Sequence, residues 1–519
     1  MKASFLSGSL QAPGKHSYFR IKMVAISLVL AACIFMLFQV DLSGIDKYGY
    51  YPEDWISYTK TRFVRSVSIG FYNIYLGTTE GILRYDMEFD EWLDPITEGD
   101  GLPDQNIQRI AASPDDTHIW VTTPSGIYEY ITTFEEWSAA DEFPYEYYNN
   151  DVSRIGDFQR YNPPFGYHIF PPNIIRDSEF REYPIMAAVE SKWGDIWLGT
   201  WGLGMGKIAR YGADLNFFRF GLYTSDCRAM YQKGERFYFG GRNEYGAENA
   251  LTIWDRKNNT WKYLEARYND RFISDQVNDI LGVGDNIYLA TDFGLVKMGT
   301  EGNDFRSYTA PGYLNTDIVL SLAYNKGQLY LGTDQGMYTL NIKSDSIRYM
   351  GGDLIGDAAI YDILYYKDDL WIGSEYGAVR YDLKTQRFYR YSSVGGALLG
   401  LMMDVEKDNE DGLWFAGEDA IVWMSDRFDE KERFYVDVDL GGFIPNRILV
   451  SERYLWVGTG YGLYRYDRLK HYWKHFLQDQ GLIDDNIYDL ILDNDYLWIA
   501  TARGVTRYYW NNPMRGEDF

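Results

Sequence analysis

Between residues 54 and 510 the chain writes short runs in which apolar and polar positions alternate, each closed by Gly, Asp or Asn. The run "NIYDLILDNDY" (486–496) leads into "LWIATARGVTRY" (497–508), which reads as a strand, a tight turn and a second strand. Variants of the second phrase recur as "IYLGTTEGILRYD" (74–86), "LWIGSEYGAVRYD" (370–382) and "LWVGTGYGLYRYD" (455–467). Aligned on the phrase, the aromatic anchors are Tyr75, Trp120, Trp197, Tyr238, Tyr288, Tyr330, Trp371, Trp414, Trp456 and Trp498. Their spacing is 41–45 residues except for a gap of 77, between Trp120 and Trp197, and one of 50, between Tyr238 and Tyr288.

A period near 42 matches one four-stranded propeller blade. The Gly that ends "T-x-x-G" suits the positive φ of a tight hairpin. The Gly or Ala after the aliphatic residue leaves room for a neighbouring sheet. No single unit can bury both faces, so the units must stack. The last unit stops one strand short, and "DWISYT" (54–59) supplies an orphan strand at the other end, as ring closure requires. The expected fold is all-β: a β-propeller of about ten to eleven four-stranded blades over 54–512, as one large ring or two rings. The segment 140–184 reads either as a degenerate blade or as an insertion.

The N-terminal end is different. Residues 1–22 are basic, and "MVAISLVLAACIFMLFQV" (23–40) has no charge over 18 residues, near the lower limit for a membrane-spanning helix. Acidic residues begin at Asp41, so the charge bias keeps the N-terminus cytoplasmic and places the repeats outside. The expectation is a single-pass bacterial membrane protein: a short tail (1–22), a transmembrane signal-anchor (23–40), a linker (41–53), a periplasmic or extracellular propeller and a tail (513–519). "LAAC" (30–33) offers a lipoprotein alternative through Cys33, and an ordinary cleaved signal is a third.

Composition narrows the partners. A net charge of −25 leaves no cationic excess for phosphates, which argues against nucleic acid. Aromatic residues are 18% of the chain, in keeping with pleated, packed surfaces. Two cysteines make no disulfide framework, and His471 and His475 fall on an extended segment too long to chelate through both. No nucleophile elbow, P-loop or His-Glu-x-x-His occurs, so no catalytic and no metal-binding residue is assigned and no cofactor is expected.

The phrase aromatic–aliphatic–Gly–Thr–x–x–Gly–aliphatic followed by Arg-Tyr-Asp resembles the two-component regulator propeller repeat. The loops "GDGLPDQNIQRI" (99–110) and "DQGLIDDNIYDL" (479–490) match it as well. The resemblance spans roughly 54–510 and implies an extracytoplasmic sensor-type propeller, of a family active in signal transduction, that binds glycans or serves in surface assembly. About nine residues follow the last unit, so the carry-over is a binding module without kinase or DNA-binding domains.

On such a frame the x-x positions of the turns form the variable surface. The candidate ligand-binding residues are Glu80, Trp201, Phe293, Asp334, Glu375, Tyr376, Glu418, Tyr461 and Arg503. The aromatic ones would stack on sugars or fill a partner's pockets. The carboxylates, with Asp292 and Asp419, would bind a cation such as calcium or serve acid–base chemistry if they converged. The sequence therefore predicts a membrane-tethered module for a glycan or envelope-protein ligand, with a polysaccharide hydrolase or lyase as the alternative.

Overall fold

The computed structural model describes residues 51–515, apart from 149, 151, 153–155, 243–248, 392–395, 410 and 428. The apolar run 23–40 and Cys33 lie outside the described residues, among which no helix is long and apolar enough to cross a membrane.

The phrase "LWVGTGYGLYRYD" forms strands Tyr454–Thr459 and Leu463–Asp467, with Trp456 opposite Arg465. Its letters have local causes. Thr459 Oγ1 donates to the Gly462 carbonyl (2.9 Å) and accepts the Tyr461 N–H (3.0 Å), so the hydroxyl closes the turn. Gly462 sits at φ +91°, which a β-carbon would strain. A β-carbon on Gly458 would come within 2.5 Å of Ile487 Cγ2 in the next sheet, so this Gly permits close stacking.

The described residues form ten such antiparallel sheets, nine of four strands and one of six. Seven of them place their innermost strands in a cycle, and we number these blades 1 to 7. The inner strands are Cys227–Lys233, Val277–Val283, Val319–Asn325, Ile360–Tyr366, Met402–Asp408, Pro445–Val450 and Ile487–Asp493. Each adjoins the next and the last adjoins the first, which makes this part of the chain a closed β-propeller. The outermost strand of blade 7 is Trp55–Tyr58, pairing Trp55 with Tyr508, and the Trp55 ring stacks on Tyr508 at 3.9 Å. Both ends of the repeat region therefore share one sheet, and that sheet has no missing strand.

The other three sheets start from Val64–Ile69 (sheet I), Arg109–Ala112 (sheet II) and Glu182–Glu190 (sheet III), with sheet I standing between the other two. The stretch before sheet III adds a hairpin to it, Tyr167–Phe170 and Ile174–Asp177, giving the six-stranded order. Sheets I and III pack on blades 7 and 1 through an aromatic core that includes Tyr58, Tyr85, Trp254, Trp261 and Trp498. Truncating one buried ring of this kind costs about 3–5 kcal/mol.

Polar clamps tie the two groups at one end. Arg503, in the turn of blade 7, pairs with Glu98 after sheet I at 3.1 Å. Glu80, in the turn of sheet I, accepts Ser225 Oγ (2.8 Å) and the Lys60 N–H (3.0 Å). Arg181, entering sheet III, places Nη1 2.9 Å from both Glu265 oxygens. The T-x-x-G turns of ring and three-sheet group therefore share a face, the turn face. Turns joining first and second strands lie on the opposite face, where Pro52–Asp54 leads into blade 7.

Candidate functional site: the mouth of the seven-blade ring

Near the turn face, every inner strand of the ring breaks register by one residue. The breaks fall between Cys227/Ala229, Val277/Asp279, Val319/Ser321, Ile360/Asp362, Met402/Asp404, Pro445/Arg447 and Ile487/Asp489. A bulge leaves one side chain outside the ladder and re-aims it. The bulged residues are Arg228, Asn278, Leu320, Tyr361, Met403, Asn446 and Tyr488, and all of them line one axial cavity of about 320 Å³. One residue from each blade meets at the axis, and their chemistry differs around the ring.

The residue after each bulge forms the floor. Asp279, Asp362, Asp404 and Asp489 each accept a backbone N–H from the next blade: Leu322 (2.7 Å), Val405 (3.1 Å), Ile448 (2.6 Å) and Met230 (2.8 Å). Blade 6 puts Arg447 at this position. Its guanidinium reaches Asp404 at 3.1 Å, Asp489 at 3.2 Å and Asp362 at 3.8 Å. The Asp404 carboxylate, more than any other group, holds the Arg447 proton well above the usual guanidinium range. Arg447 keeps 36% of its side-chain surface open to the axial space although protein surrounds it.

One guanidinium does not neutralise this floor. Burial, relieved only in part by Arg447, raises Asp489 to about 6, and burial raises Asp362 well above the carboxylate range, with Asp404 adding to it. Glu406, further along the same strand of blade 5, rises to about 7 through burial and the Asp404 charge. Arg228 at the rim is already occupied, bidentate to Asp226 at 2.9 Å and stacked 4.2 Å over the Tyr488 ring. The axial space is therefore acidic, lined by amide, phenol and thioether groups, and suits hydroxyl-rich or cationic groups better than anions.

The turn residues chosen from the sequence divide into two sets. Glu80 and Trp201 belong to the three-sheet group: Glu80 is a clamp, and Trp201 packs on Phe63 at 5.0 Å with Arg65 5.5 Å away. The others occupy the turns of blades 2 to 7. Phe293 (56% exposed), Tyr376 (40%) and Tyr461 (44%) stand open on the turn face, Tyr461 stacked on Phe443 at 4.6 Å. Glu375 is close enough that its charge adds to burial in raising the Tyr361 phenol, which links turn and mouth. Several carboxylates are committed to local bonds. Asp334 accepts Thr316 Oγ1, Glu418 accepts the Leu401 N–H (3.1 Å), and Asp292 takes Arg242 (2.7 Å) and Asn278 (3.0 Å). Arg503 is paired with Glu98. Among the described residues no group of three His, Cys, Asp or Glu is placed to hold a metal ion.

Sequence reading missed Arg447, the four floor aspartates and the bulged residues. A signal existed: "NDIL" (278–281), "YDIL" (361–364), "MDV" (403–405) and "YDLI" (488–491) repeat an Asp where alternation alone calls for either face. The bulge hides it, because the extra residue shifts the apparent period.

No family model and no curated protein matches the chain. Solved structures resemble it in overall fold. The extracellular domain of BT3049, described as a hybrid two-component system of B. thetaiotaomicron, has a TM-score of 0.49 at 13% identity over 87% of this chain and 69% of its own. PorZ, a surface component of the type-IX secretion system of Porphyromonas gingivalis, has 0.48 at 15% identity over 86% and 68%. The extracellular domain of BT4673 of B. thetaiotaomicron has 0.46 at 15% over 86% and 70%. Likeness at this level says nothing of ligand or activity. The propeller assignment rests on strand pairing and on the closed order of the inner strands.

Proposed function

We propose that the protein is a membrane-tethered, extracytoplasmic binding module that takes a glycan or an envelope-protein segment at the mouth of its seven-blade ring. The observation that carries this is the set of bulged residues: every blade turns one side chain out of its ladder toward a single cavity, and those side chains differ while the frame repeats. A purely structural axis would need no such variety. Tyr361, and the face of Tyr488 that Arg228 leaves open, offer ring surface for stacking on a sugar, and Asn446 offers its amide for hydroxyls. The exposed Phe293, Tyr376 and Tyr461 widen the surface around the mouth. The tether follows from the uncharged run 23–40 and the charge step at Asp41.

The test is binding of the purified chain to arrayed bacterial glycans and to envelope extracts, with Tyr361→Ala and Tyr488→Ala alongside. The expected result is a ligand whose affinity falls about tenfold or more in each variant, as for central aromatic contacts. Failure to bind either class, or equal binding by wild type and both variants, would refute the site.

A further inference from the structure

On the face opposite the mouth, the turns joining first and second strands differ between ring and three-sheet group. In the ring, the turns joining first and second strands are short and polar: Gly234-Glu235, Gly284-Asp285, Lys326-Gly327, Lys367-Asp368 and Asn494-Asp495. At the equivalent turns, sheet I carries Phe71 and Tyr72, each 45% exposed, and sheet III carries Trp193, 42% exposed. These rings form one assembly. Phe71 and Tyr72 meet edge to face at 4.5 Å, and the Lys192 ammonium lies 3.0 Å from the Phe71 centroid and 4.4 Å from that of Trp193. Sheet II braces the assembly, since Asp116 accepts the Tyr72 N–H at 2.7 Å. Phe89, Phe134 and Tyr211, 70–88% exposed, stand on neighbouring turns of the same three sheets.

We propose that this aromatic cluster rests on a lipid bilayer, so that the three-sheet group seats the ring with its mouth turned away from the membrane. Trp, Tyr and Phe around an ammonium match the interfacial zone, where rings sit at headgroup level and the cation meets phosphate. The chain enters the described structure at this same face, and only eleven residues, 41–51, separate the apolar run from Pro52, a linker that reaches at most about 40 Å. With a net charge of −25 the chain as a whole is repelled by anionic lipid, so attachment falls to the rings of this tip and the Lys192 ammonium among them. The inference rests on the membrane-tether reading above and adds the orientation.

The full chain, reconstituted in vesicles of phosphatidylethanolamine and phosphatidylglycerol with headgroup-nitroxide lipid, tests it. A fluorophore is placed on Trp193→Cys, and on Phe293→Cys at the mouth, with the parent chain labelled in parallel as the blank. The expected result is about twofold or greater quenching at 193, as for a group at headgroup depth, and none at 293. In a Phe71→Ser/Tyr72→Ser background, quenching at 193 should fall while the protein still floats with the vesicles. Flotation without quenching at 193 would overturn the orientation and leave the tether standing; no flotation would overturn both. A label at 193 that becomes shielded on whole cells yet is not quenched by lipid would give the cluster to a protein or glycan partner and overturn the proposal.

Discussion

The Asp489 carboxylate accepts the Met230 N–H at 2.8 Å across 259 residues of sequence, joining the inner strand of blade 7 to that of blade 1. The same bond joins blades 2 and 3, 4 and 5, and 5 and 6, but only here does it close the ring. Asp489→Ala leaves a buried N–H unpaired and frees one side of Arg447, at a cost of roughly 2–4 kcal/mol. Urea unfolding should show the loss. Amide exchange should rise first in Cys227–Lys233 and Ile487–Asp493, and an equal rise in Val319–Asn325 would contradict a closure role.

Among the described residues, Arg447 is the one cation that pairs with Asp362, Asp404 and Asp489 together. Arg447→Met leaves these carboxylates facing one another, so the damage should depend on their ionisation. At pH 8 the expected loss is roughly 2–4 kcal/mol, reduced from the fully buried case because the axial space admits solvent. At pH 5 Asp362 and Asp489, both raised by burial, take up protons and much of the loss disappears. A variant equally destabilised at both pH values would show that packing, not charge, is what Arg447 supplies.

Glu406 gives the opposite sign. Its folded-state value of about 7 lies above the unfolded 4.5, so the native state holds a proton that the unfolded chain has released. Stability from this group falls as pH rises from about 4.5 to about 7, and the loss is complete above that. Glu406→Gln removes the penalty while its amide oxygen still accepts the Lys407 N–H that Glu406 takes at 3.1 Å. The variant should match wild type at pH 4 and exceed it by roughly 1–3 kcal/mol at pH 8. A gain independent of pH would disprove the assignment.

The scaffold was legible because its constraints are local and repeat. Thr459, Gly462 and Trp456 each answer to a turn or a core within their own sheet, and a period of 42 follows. The closing strand at Trp55 was legible from a count of strands at the two ends. The mouth was not, because its parts come from seven separate strands and from bulges that no alternation reveals. Turn residues looked informative because they vary. Glu80 and Arg503 vary for another reason: each fits one junction between the three-sheet group and the ring.

Gly458 tests the stacking that makes the repeat necessary. A methyl group there would press on Ile487 Cγ2 at 2.5 Å, and the facing surface belongs to blade 7, which cannot yield without disturbing its own ladder. Gly458→Ala should cost roughly 1–3 kcal/mol by overpacking. Ile487→Ala alone should cost about 2–5 kcal/mol by leaving a cavity. Combined, the new methyl enters the vacated space, and the double variant should be less destabilised than the sum by at least about 1 kcal/mol. Strict additivity in chemical unfolding would mean that the two positions do not meet. The Gly of the repeated phrase would then owe its place to the backbone and not to the neighbouring sheet.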